Sequence, residues 1–68
     1  MDMKPVVSSN ISSIGYENGT LYVQFHRGGL YSYSDVPRNV YENLMAASSH
    51  GKYFAAYIKN VYRYQKLR

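Results

Sequence analysis

The sequence contains no cysteine and no tryptophan. Without cysteine there are neither disulfides nor thiolate metal ligands to staple the fold. Two prolines and five glycines among 68 residues fall short of a disordered composition. No apolar run nears the roughly 18 residues of a membrane span. The opening Met1-Asp2-Met3-Lys4-Pro5 lacks the apolar stretch of a signal peptide. A cytoplasmic, globular domain is therefore expected. The length leaves no room for a multidomain enzyme or a large core. A domain near 60 residues buries only about 60% of its unfolded surface. Close packing or self-association must supply the remaining stability.

Acidic residues are also scarce. Eight Lys and Arg face four Asp and Glu, a net charge of +4. From Gly51 onward there are five basic residues, Lys52, Lys59, Arg63, Lys66 and Arg68, and no acid. Such asymmetry suits a polyanion-binding surface, and equally a solubilising charge. What is abundant is tyrosine: nine, beside two phenylalanines. A tyrosine joins an apolar ring to a polar tip, so it serves at the edge of a small core. It serves equally for stacking on bases.

Residues 1–7 read as an irregular lead-in and 8–68 as a single domain, with Pro5 and Ser8-Ser9-Asn10 opposing any packed element. A strand is expected over Ile11 to Glu17. Asn18-Gly19 follows, the dipeptide of a type I′ turn, and Thr20 to Phe25 forms the return strand. Ile14, Tyr16, Leu21, Val23 and Phe25 then share the core face. A second turn at Arg27-Gly28-Gly29 leads into a third strand from Leu30 through Ser34. Its register is open. A two-residue loop places Tyr31 and Tyr33 on the face of Tyr22, Gln24 and His26; a three-residue loop places them beside Val23 and Phe25 in the core.

Asp35 or Val36 falls near a helix N-cap, with Pro37 in the first turn. Val40, Tyr41, Leu44, Met45, Ala47 and Ser48 form an apolar stripe at helical spacing. Gly51 is a candidate C-cap. A shorter helix is expected over Lys52 to Asn60, burying Phe54, Tyr57, Ile58 and Val61. A last strand is expected within Val61 to Leu67. The fold class is thus α+β: an antiparallel sheet of three meander strands plus a C-terminal strand, packed with two short helices in the order β-β-β-α-α-β.

Catalytic chemistry is hard to assemble from these residues. The two histidines, His26 and His50, have no paired ligand spacing, so neither a metal nor a cofactor is expected. His26 reads as a strand-edge residue and His50 as a helix-end residue. Adjacent Ser48, Ser49 and His50 cannot arrange themselves as nucleophile, base and orienting acid. Gly28-Gly29 opens a strand and not a helix, unlike a dinucleotide fingerprint. No enzymatic activity is expected.

Several segments, taken in order, are similar to one family. They are Leu21-Tyr22-Val23-Gln24-Phe25 before a glycine turn, Tyr31-Ser32-Tyr33, Val36-Pro37, Tyr41, Ala47-Ser48-Ser49-His50-Gly51-Lys52-Tyr53-Phe54 and Ile58-Lys59. Together they resemble the KTSC domain, named for the C-terminal extension of some lysyl-tRNA synthetases and found also as stand-alone bacterial and phage proteins. The resemblance spans roughly Val6 to Lys66. It implies an uncharacterised domain for which RNA binding is proposed on the strength of the synthetase fusion. It supplies no functional residues.

Three expectations about function follow. The first is single-stranded RNA binding, with Tyr22, Tyr31 and Tyr33 stacking on bases and Arg27, Lys52, Lys59, Arg63 and Lys66 meeting phosphates. The second is self-association as a homodimer, with Ser49-His50-Gly51 as an exchange hinge and Phe54, Tyr57 and Ile58 in the interface. The third is capture of a nucleotide in a tyrosine-lined pocket.

Overall fold

The computed structural model describes residues 2–68. Met1, the first residue of the expected lead-in, lies outside the described residues. Five antiparallel strands form one sheet whose spatial order follows the chain: β1 (Lys4–Pro5), β2 (Ile11–Glu17), β3 (Thr20–Phe25), β4 (Gly29–Tyr33) and β5 (Tyr64–Lys66). Two helices, α1 (Arg38–Ala46) and α2 (His50–Tyr57), are inserted between β4 and β5. The α+β class and the expected β-β-β-α-α-β order are present, with the two-residue strand β1 added at the edge. That strand lies in the segment expected to be irregular. Lys4 pairs with Ile14 and Pro5 with Ser13, a contact that only the tertiary structure creates.

The β2–β3 hairpin forms around Asn18 and Gly19, whose φ angles of 53° and 80° are the left-handed pair that a type I′ turn needs. Tyr16 lies opposite Leu21 and Ile14 opposite Val23. A bulge between Ile11 and Ser13 keeps Ile11 opposite Phe25 and on the buried face. Three residues, 26–28, connect β3 to β4, and Gly29 takes a φ of 86° as the chain turns back. This length settles the open register. Tyr31 pairs with Val23 and Tyr33 with Leu21.

The core face of the sheet packs against both helices. Ile11, Ile14, Leu21, Val23 and Tyr33 from the strands meet Val36, Leu44, Phe54 and Ile58. Tyr16 ties the helix entry down: its hydroxyl donates to the Val36 carbonyl at 2.6 Å, and its ring stacks on Tyr41 with 4.9 Å between centroids. Pro37 is the N-cap of α1, one residue later than expected, and Ala46 is its last helical residue.

The second helix begins before Gly51, not after it. Ser49 is its N-cap, accepting from the Lys52 amide at 3.3 Å. His50 Nδ1 lies 2.9 Å from the Leu44 carbonyl and bridges the two helices. Gly51 lies within this helix, and a Cβ there would sit 2.8 Å from Asn10 Oδ1. Close approach, and not a left-handed cap, is what this glycine provides. The expected buried stripe is half right. Phe54 and Ile58 are buried, but Tyr57 and Val61 are 58% and 61% exposed. The helix stops at Tyr57, so Val61 falls in the following turn and leaves the stripe. No helix among the described residues is long and apolar enough to cross a membrane.

Candidate functional site

The register of β4 divides the three tyrosines assigned to one surface. Tyr22 pairs with Ser32 and shares the open face of the sheet with Gly15 and Gln65. Tyr31 and Tyr33 lie on the opposite face, toward the helices. A common stacking platform of Tyr22, Tyr31 and Tyr33 does not exist, because the three-residue loop shifts β4 by one position.

A different aromatic site forms instead. Strand β5 pairs Tyr64 with Tyr33 and Lys66 with Tyr31, which places Tyr64 and Lys66 on the helix side of the sheet. Helix α2 does not extend over this edge, so a cleft of about 350 Å³ remains between β4–β5 and the end of α2. Its aromatic walls are Phe25, Tyr31, Tyr33, Phe54 and Tyr64. Tyr31 and Tyr64 have centroids 5.7 Å apart, Tyr33 and Tyr64 6.0 Å, and Tyr33 meets Phe54 edge-on at 5.4 Å. The rim holds Asn10, Asn60 and Lys59. One cation and no acid line it, so the side-chain charge around the cleft is positive.

The rings differ in access. Tyr33 is 5% exposed and forms the floor, whereas Tyr64 is 60% exposed and stands at the mouth. Burial pushes the Tyr33 phenol up to about 12, with smaller contributions from the neighbouring Tyr31 and Tyr64 phenols. No sealed side-chain polar atom among the described residues lacks a partner. The Tyr33 hydroxyl, which bonds to no protein group there, is therefore wetted through the cleft.

Among the expected basic residues, Lys59 lines the cleft and Lys66 shares its side of the sheet. Arg27 sits in the β3–β4 turn, Lys52 on α2 and Arg63 before β5; all three are exposed, and none lines the cleft. Lys52 borders a shallower depression with Ser48, Ser49 and Tyr53. Tyr64, Phe25, Asn10 and Asn60 were not singled out from the sequence. Once β4 is given a three-residue loop, alternation along Tyr62-Arg63-Tyr64 and pairing with Tyr33 would bring Tyr64 to the site. Nothing local marks Asn10, which arrives through the β2 bulge and the contact with Gly51.

Comparison with known proteins settles the lineage. The KTSC domain model matches residues 7–62. The chain belongs to the KTSC domain family. The crystal structure of a KTSC domain protein from Yersinia pestis superposes with a TM-score of 0.96 at 39% identity, covering 98% of this chain and 97% of that one. A protein of Tsukamurella paurometabola is 36% identical over 63 residues, 90% of this chain and 94% of its own length. A lysine–tRNA ligase of Nostoc sp. is 42% identical over 48 residues, which span 71% of this chain but only 9% of the ligase. The KTSC unit is thus found both as nearly the whole of a small protein and as a small part of a ligase.

Proposed function

We propose that this KTSC domain is a non-catalytic binder of single-stranded RNA that takes an unpaired base into the aromatic cleft. The observation that carries the reading is the exposed Tyr64 ring, held 5.7 Å from Tyr31 beside Lys59 and Lys66. A base entering between the mouth and the rim stacks on Tyr64 and Tyr31, and its phosphates meet the two lysines. Bases in a duplex have no free face to offer, so the ligand is single-stranded. The size supports one base with its sugar in the cleft, since ligand pockets begin near 300 Å³. The ligase relatives, which carry a similar segment and are named for tRNA, agree with RNA as the polymer.

The test is an NMR titration of labelled protein with a short single-stranded RNA at two salt concentrations. Shifts should centre on Tyr31, Tyr64, Lys59, Asn60 and Lys66, and fade with salt. Tyr64→Ala should weaken binding about 5- to 150-fold, the loss of one stacked base at about 1–3 kcal/mol. Lys59→Gln should lower the log–log salt slope by about 0.7. Shifts confined to the Tyr22 face, or none at all, would sink the reading.

A further inference from the structure

The sheet has two edges, and they are protected differently: β1 by a proline, β5 by cations that repel like-charged strands but not acidic ones. At the first, β1 is two residues long and contains Pro5, which offers no amide proton. At the other, β5 contains no proline and all three of its residues are exposed. Its outward groups can be identified from its bonds to β4. Arg63 accepts from the Ser34 amide at 2.9 Å, and the Leu67 amide donates to Leu30 at 2.7 Å. These residues alternate with Tyr64 and Lys66, which lie opposite Tyr33 and Tyr31 in the non-bonded positions of the ladder. The amide and carbonyl groups of Tyr64 and Lys66 therefore point away from the sheet and have no strand to pair with among the described residues.

We infer that the β5 edge is a docking strand for an extended acidic segment of another protein. An added strand would bond to the backbone of Tyr64 and Lys66, the mode by which peptides extend exposed sheets. Charge selects the partner. Arg63, Lys66 and Arg68 run along this edge, and no acid follows Glu42 in the sequence. A second copy would bring these cations against their own counterparts, and like charges directly opposite destabilise a pair. Acids placed opposite Arg63 on the open face and opposite Lys66 on the cleft face reverse the sign at those places. On the cleft side an apolar residue of the segment would cover the Tyr64 ring. The bonds are to the backbone edge, which a nucleic acid cannot pair with, so the inference does not rest on base binding in the cleft, although the two ligands would compete for Tyr64 and Lys66.

A capped peptide repeating Glu-Thr-Val-Glu, which in antiparallel register sets an acid opposite Lys66, valine opposite Tyr64 and an acid opposite Arg63, tests it when titrated at low salt into the labelled protein. The Tyr64 and Lys66 amides should move downfield and exchange more slowly with solvent, while the Lys-Thr-Val-Lys counterpart should move neither. Lys66→Pro removes one outward donor and leaves the Gln65 and Leu67 amides facing β4, so it should abolish binding; Lys66→Gln keeps the donor and should weaken binding only a few-fold. Protection of the Ser34 amide reports whether β5 remains docked in either variant. The wild-type titration decides the matter even if the proline variant detaches. Unmoved amides at about 1 mM glutamate peptide, equal binding of the lysine peptide, or undiminished binding by a docked Lys66→Pro would each overturn the inference. So would unliganded protein of twice 7.8 kDa with those two amides already protected, because a second copy would then hold the edge.

Discussion

Tyr33 couples the core to the cleft. Its ring packs with Phe54 and Tyr64, yet its hydroxyl reaches solvent. Ionising it places a charge on a buried ring, which is why the phenol is held up to about 12. The folded state keeps this proton to higher pH than the unfolded state, where tyrosine titrates near 10. The stabilisation is thus complete below about pH 10 and is lost as pH rises toward 12, amounting to at most about 3 kcal/mol. Tyr33→Phe should flatten that alkaline loss in urea melts followed between pH 8 and pH 12. Below pH 9 it should lie within about 1 kcal/mol of the parent, since no protein hydrogen bond is removed. An unchanged alkaline slope would assign the loss to another group.

The attachment of β5 depends on a glycine in another strand. Gly29 has a φ of 86°, and a Cβ there would collide with the Arg68 carbonyl, which accepts from the Leu30 amide at 3.0 Å. Gly29→Ala should therefore cost about 2 kcal/mol or more from the combined φ penalty and clash. Hydrogen exchange should show residues 64–68 loosening before the β2–β3 hairpin. Equal protection in the two regions would contradict this. The contrast between elements shows what the sequence could convey. The β2–β3 hairpin was legible because Asn18-Gly19 states its own geometry. The β3–β4 loop was not, because Arg27-Gly28-Gly29 offers two adjacent glycines and either could take the left-handed position. Gly51 misled for a related reason. A glycine between two helical patterns reads as a stop, whereas this one is helical and lies against Asn10, 41 residues away in the chain. Of the site residues, Lys59 and Lys66 were legible as part of the basic C-terminal half. The separation of Tyr22 from Tyr31 and Tyr33 was not, because it follows from that one ambiguous loop.

Among the described residues the fold rests on nine buried hydrophobic side chains. No disulfide supplements them, and the single salt bridge among the described residues, Arg38–Glu42 at 3.3 Å, is exposed and contributes little. Each core side chain therefore carries a large share of the stability. Leu44 is fully buried where α1 meets the sheet. Leu44→Ala should cost about 2–5 kcal/mol, enough to unfold a substantial fraction of a small domain at 25 °C. Circular dichroism in a urea series checks this, and a midpoint within error of the parent would contradict it.

The strand order has a consequence in time. Strands β2, β3 and β4 are joined by short turns, and such hairpins close in about 1–10 μs. Strand β5 can join β4 only when the intervening residues 34–63, which carry both helices, have looped back. Longer loops close at greater entropic cost, so the mouth of the cleft is expected to be completed last during folding. Run in reverse, the same order makes it the first part to come apart. A nascent or partly opened chain can hold its hairpins while lacking Tyr64 and Lys66 at the site. Ligand competence would then report completed folding, because the residues that finish the site are those that arrive at the end.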